Sequence, residues 1–254
     1  MQTMTFPSPG PVRYVIEIGS GEVQVTASDR SDTVLEIDVR KGPEPEVAHE
    51  EGRDGLTIRI KAKKARRQDY AIMIACPSGT SFEIVTGSAD MIAKGEVGSV
   101  EFRAGSGDLV FQDARGDVVV KVGSGDAIGH AVGGSFTMHS GSGDVRLHEV
   151  VRDITVKTAS GDISTGPVGG DANVTTVSGD VEIGSLRDGE AHLRSVSGDV
   201  NVGVAAGTRV FLDLSATSGE ARSDLTPSGG PEGEGNTLEL HVATVSGDIR
   251  VRPA

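Results

Sequence analysis

Across residues 87–205 apolar and polar positions alternate in short runs, and the runs recur. After Asp117, Val118, Val120 and Val122 alternate with Val119 and Lys121. Period-two alternation over about five residues predicts a strand with one buried face. The runs are punctuated by Ser-Gly-Asp, which begins at Ser106, Ser124, Ser142, Ser160, Ser178, Ser197 and Ser246. The first five copies are spaced by 18 residues and the next step is 19. Degenerate copies stand at Gly19-Ser20-Gly21-Glu22, Gly87-Ser88-Ala89-Asp90 and Ser218-Gly219-Glu220. Half a period after Asp108, Asp144 and Asp162 come Asp117, Asp153 and Asp171, so each period holds two strands and two turns. A fixed period of this length marks stacked repeats.

Stacking such units superposes equivalent positions about 4.8 Å apart. One inward column then reads Val100, Val118, Phe136, Ile154, Ala172, Ala191, and the next reads Phe102, Val120, Met138, Val156, Val174, Leu193. A third is small: Ala104, Val122, Ser140, Thr158, Thr176, Ser195. The other strand contributes Leu109, Ala127, Val145, Ile163, Val181 and Val200. These columns predict an all-β fold, a parallel β-solenoid (β-helix) of about 18 residues per rung with two short strands per rung and irregular β caps at both ends. Glycine and β-branched residues at every turn of the pattern oppose a helix. The glycine of each Ser-Gly-Asp is expected at positive φ. The aspartate is expected to accept backbone N–H bonds as in an Asx-turn.

The period divides the chain into an irregular N-terminal β region at 1–86, continuous with the stack, regular rungs at 87–205, and C-terminal rungs with closing strands at 206–254. Strand-like runs in the first region are Val12–Ile18, Val34–Val39, Leu56–Ile60 and Ala71–Ala75, with a loop at Gly42–Glu46. In the last, Pro227–Asn236 reads as a mobile loop, and Leu238–Val242 and Ile249–Val251 as closing strands.

Charge narrows the function classes. The chain has 24 basic and 37 acidic residues, a formal net charge of −13, and the excess sits in residues 87–254. Such a body argues against nucleic-acid binding. The basic run Lys61, Lys63, Lys64, Arg66, Arg67 reads as a solvated strand end and loop. No stretch approaches the roughly 20 apolar residues of a membrane helix. No basic-then-apolar leader is visible, so a cytoplasmic location is expected. The single cysteine, Cys76, lies in an apolar run and is expected to be buried and inert.

The candidate chemistry is sparse. Asp90, Asp108, Asp126, Asp144, Asp162, Asp180 and Asp199 fall in one corner column. They are expected to cap local amides; the alternative is a calcium ladder, although nonapeptide calcium solenoids carry their aspartate at every half-turn. The outward column Arg103, Lys121, His139, Lys157, Thr175, Arg194 is a basic stripe. It either discourages strand aggregation or docks an acidic partner or anionic polymer. Outward apolar residues are few, chiefly Val110 and Val119. His130 and His148 share a column, with His139 on the opposite strand, and read as surface histidines. Arg115-Gly-Asp117 falls where a half-repeat turn belongs. Two Tyr, six Phe and no Trp leave little for sugar stacking, and no phosphate loop opens a helix. No catalytic residue and no cofactor is expected.

The Ser-Gly-Asp-[Val/Ile] repeats, the opening Val12–Thr26 with Gly19-Ser-Gly-Glu22, and the closing Ala243–Arg250 resemble the bacterial β-strand-repeat family labelled "putative adhesin", a domain of unknown function. The resemblance covers nearly the whole chain. It implies adhesin-like binding and keeps a cell-surface location open, but implies no catalytic residues. The expected function is a non-enzymatic β-solenoid binding or scaffold module for an unknown protein or extended polymer. A self-assembling cytosolic filament scaffold of the bactofilin type is the alternative, and a carbohydrate-active β-helix enzyme the third reading.

Overall fold

The computed structural model describes residues 1–52, 55–63, 65, 67–226 and 236–254. Every helix or strand among them is a strand. They form two compact units, Met1–Gly133 and Gly134–Ala254. The first holds β1 (Gln2–Pro7), β2 (Arg13–Ser28), β3 (Asp32–Lys41), β4 (Glu46–Gly52), β5 (Gly55–Lys61), β6 (Asp69–Pro77), β7 (Ser81–Val97), β8 (Val100–Ser106), β9 (Leu109–Ala114), β10 (Val118–Ser124) and β11 (Ala127–Val132). The second holds β12 (Phe136–Ser142), β13 (Val145–Val150), β14 (Ile154–Ser160), β15 (Ile163–Val168), β16 (Ala172–Ser178), β17 (Val181–Leu186), β18 (Gly189–Ser197), β19 (Val200–Val204), β20 (Arg209–Ser218), β21 (Ala221–Ser223), β22 (Thr237–Ser246) and β23 (Ile249–Pro253).

In the first unit β7, β8 and β10 stack in parallel on one face and β7, β9 and β11 on the other. The degenerate first repeat is a regular rung here: β2 runs parallel to β7 with Ser20 opposite Ser88. On the far side of β2 lie β5 and β6, each parallel to one half of it. The cover then turns antiparallel, with β4 on β5, β3 on β6 and β1 on β3. The outer strand β4 carries Glu46, Glu50 and Glu51, a charged edge of the kind that discourages pairing with another chain.

In the second unit β12, β14, β16 and β18 stack in parallel on the first face, and β13, β15, β17 and β19 on the second. The order then departs from the sequence. β22 lies between β18 and β20, with Ser246 opposite both Ser197 and Ser218. β23 likewise lies between β19 and β21. The sequence places the closing strands at 238–242 and 249–251; the structure puts these one rung inside, and β20 and β21 stand at the end. Burial gives the reason. Leu238, Leu240, Val242, Ile249 and Val251 are at most 2% exposed, an unbroken apolar column suited to a covered position, whereas β20 is half-buried or exposed throughout. Of the loop expected at 227–236, all but Asn236 lies outside the described residues.

The inward columns are the core of both units. No residue of the Val100, Phe102 or Leu109 column is more than 1% exposed. A rung alone has nothing to cover this face; stacking buries it, at roughly 1.5–3 kcal/mol for each Val, Leu or Ile side chain. In the small third column the Ser140, Thr158 and Thr176 hydroxyls bond locally, whereas the buried Ser195 hydroxyl has no partner among the described residues. Thr158 Oγ1 donates to the Ser160 carbonyl at 3.0 Å and Thr176 Oγ1 to that of Ser178 at 3.2 Å.

Candidate functional site

The Ser-Gly-Asp corner is built by close backbone approach. Gly161 has φ +141°, and a Cβ there would lie 2.1 Å from the carbonyl oxygen of Gly143 one rung below. Only glycine fits both the dihedral and the space. The aspartate accepts an amide bond, as expected, but from the next rung rather than from its own turn. In the first unit Asp108 N–H donates to Asp90 Oδ1 at 3.0 Å and Asp126 N–H to Asp108 Oδ1 at 2.9 Å. In the second, Asp144 Oδ1 accepts from Asp162 and Asp162 Oδ1 from Asp180, both at 2.9 Å. Asp180 accepts from Asp199, Asp199 from Asp248 and Asp248 from Glu220, each at 2.8 Å. A shorter ladder runs along the opposite corner, Asp153 accepting from Asp171 at 3.0 Å and Asp171 from Glu190 at 2.8 Å. Each of these carboxylates thus has one oxygen on an amide, whose positive end offsets the stacked charge.

The basic stripe projects from the first face. Arg103 and Lys121 are register neighbours in the first unit, and Arg103 is held by Glu101. In the second unit His139, Lys157, Thr175 and Arg194 are in register on successive strands. Lys121, Lys157 and Arg194 are exposed and make no ion pair among the described residues. Two residues further along the strands, Val177, Val196 and Val245 form an outward apolar column, each about half exposed (49, 47 and 50%). On the second face of the first unit Ile92, Val110 and Ile128 form another. Outward apolar positions are therefore more numerous than Val110 and Val119 alone, and they are columnar.

The remaining candidates are tied up locally. Arg115 of the Arg-Gly-Asp tripeptide pairs with Glu96. Lys61 pairs with Glu17 at 2.7 Å, and Lys64 and Arg66 lie outside the described residues. His130 Nδ1 meets Asp113 Oδ1 at 2.8 Å in the first unit, while His148 belongs to the second. Burial pushes the Cys76 thiol up to about 11, and burial also raises the Tyr14 hydroxyl. Hydrogen bonds from Arg250 and Arg222 hold the Asp224 carboxyl below the usual range. One cluster was not foreseen. Glu190, His192 and His241 project from neighbouring positions of β18 and β22, with His192 opposite His241 in register. The two imidazoles stack with centroids 4.9 Å apart. No periodic signal marks them, because the out-of-order rung brings them together.

The match that decides the family spans almost all of these strands: the sequence profile described as Toastrack DUF4097 covers residues 13–252. The chain belongs to the Toastrack DUF4097 family. Comparison with curated proteins gives no match. Among solved structures, the Toastrack chain is similar to one from Bacteroides fragilis described as a "putative adhesin". Identity is 13%, coverage is 98% of this chain and 97% of that one, and the TM-score is 0.45. It is also similar to a "putative lipid binding protein" from Parabacteroides distasonis, at 14% identity, 98% and 96% coverage and TM-score 0.42. At these scores the likenesses carry no partner over to this chain. No helix among its described residues is long and apolar enough to cross a membrane.

Proposed function

We infer that this Toastrack chain is a non-catalytic binding module whose first face takes an extended acidic partner. One observation carries the reading: on a chain of net charge −13, Lys157 and Arg194 project from one outward column of the second unit with no carboxylate partner among the described residues. In the second unit that column runs beside the exposed Val177, Val196 and Val245. An extended chain laid across the strands meets Lys157 and Arg194 on one side, two rungs or about 9.6 Å apart, and methyl groups on the other at single-rung intervals of about 4.8 Å. Charge complementarity of this kind sets encounter rate and register more than affinity. A sugar-processing role has weaker support, since both tyrosines are fully buried and Phe211 is the one large aromatic ring exposed among the described residues.

The test is binding of fluorescent poly-L-glutamate by anisotropy, with poly-L-lysine as control. The reading expects binding of the acidic polymer, weakening with salt, and at least tenfold loss in Lys157→Glu/Arg194→Glu at unchanged Tm. Equal affinity in the double variant, or no binding by the parent chain, removes it.

A second reading, self-association, rests on the end of the second unit. Strand β20 pairs with β22 on one side only among the described residues, and Phe211 and Leu212 are 58% and 39% exposed. Two copies joined edge to edge through β20 would form a dimer. Concentration-dependent sedimentation abolished by Leu212→Asp supports it, and a monomer at all concentrations ends it.

A further inference from the structure

We propose that Glu190, His192 and His241 bind a divalent transition-metal ion of the zinc class on the first face of the second unit. Glu190 and His192 are two apart on β18, and alternation puts them on the same outward side. His241 stands opposite His192 on β22. One ligand atom from each of the three lies within 4.8 Å of the others. Glu190 Oε1 is 2.7 Å from His192 Nε2, and the imidazole planes are inclined by only 17°. Asp213, in register on β20, places Oδ2 at 3.3 Å from His241 Nδ1.

The chemistry of this set is specific. Two imidazole nitrogens and one carboxylate suit zinc, copper or nickel. Calcium takes six to eight oxygens, which this set lacks. Asp213 accepting from Nδ1–H of His241 fixes the tautomer with Nε2 free for an ion, as carboxylates commonly do behind a metal-bound histidine. Bonds of about 2.0–2.1 Å in a tetrahedral site bring ligand atoms within about 3.4 Å of one another, so the cluster must tighten. The side chains of Glu190, His192 and His241 are 56%, 36% and 41% exposed, so their torsions are free to turn. A bound ion ties β18 to β22, residues far apart in sequence, at the place where rung order leaves chain order. It therefore clamps the inserted rung.

The experiment is calorimetric titration of zinc chloride into the full chain without a polyhistidine tag, at neutral pH in a non-chelating buffer. Expected are one site per chain and a Tm raised by zinc but not by calcium. Binding weakens at least tenfold in His241→Ala and in the milder Glu190→Gln, whose metal-free Tm verifies folding. The double variant His130→Ala/His148→Ala serves as the control for adventitious histidine binding. Absence of zinc binding overturns the proposal, as does binding that survives His241→Ala and Glu190→Gln or is lost in His130→Ala/His148→Ala.

Discussion

Asp162 tests what the Ser-Gly-Asp corner does. Its Oδ1 accepts the Asp180 amide at 2.9 Å, and Asp144 and Asp180 carry like charge one rung to either side. Asp162→Ala removes the bond and the charge; Asp162→Asn removes the charge but keeps a carbonyl oxygen in place. Two unit charges about 4.8 Å apart in water repel by roughly 0.9 kcal/mol before salt screening, and both variants relieve that equally. Their difference isolates the bond, about 1–1.5 kcal/mol for a solvent-exposed, charge-compatible acceptor. At roughly 2–4 °C per kcal/mol for a chain of this length, Asp162→Asn should melt about 2–6 °C above Asp162→Ala by far-UV circular dichroism. Any advantage of Asp162→Asn over the parent should vanish in high salt, while the gap between the variants persists. Equal melting of the two refutes the ladder. If the column instead held calcium, both variants would lose a calcium-dependent rise in Tm that the parent shows.

Other outcomes follow from burial and pairing. Val156 is fully buried and Lys157 beside it is exposed; Val156→Asp, an unpaired charge in the core, should lower Tm by more than 10 °C, at several kcal/mol. Lys157→Asp should stay within about 0.5 kcal/mol. Cys76, buried with its thiol pushed up to about 11, should resist iodoacetamide at pH 8 until denaturant is added, which mass spectrometry reads directly. The Asp224 carboxyl is held below its ordinary 3.8 by Arg250 and Arg222. Its contribution is therefore present above that value and lost as pH falls through the lower folded value. Asp224→Asn should flatten the acid limb of Tm against pH in that window.

The regular rungs were legible because two signals coincide at each position. Val118, Val120 and Val122 alternate within a strand, and each also has an apolar counterpart 18 residues away. A one-residue slip would turn every such side chain outward, so the columns fix register as well as strand. Where the spacing loosens beyond Ser197, alternation still identifies β20 and β22 as strands but says nothing of which lies next to β18. That choice depends on non-local burial: Leu238, Leu240 and Val242 make the better-covered layer. The N-terminal cap was obscure for the same reason. β2 finds its repeat partner β7 only after four intervening strands, of which β5 and β6 pack on its other side and β3 and β4 pair antiparallel beyond them.

The candidate sites divide along the same line. The cationic column is visible in sequence because it inherits the 18-residue period; its pairing is not, and the structure shows Arg103 occupied by Glu101 while Lys157 and Arg194 make no ion pair among the described residues. The histidine cluster has no sequence signature at all. Had the rungs followed chain order, β20 would lie against β18 and His192 would face Asp213. Because β22 is inserted instead, His192 faces His241, and Asp213 moves to the far side of that second imidazole. The same exchange that gives the apolar layer of β22 a covered place thus puts two imidazoles side by side with a carboxylate flanking each.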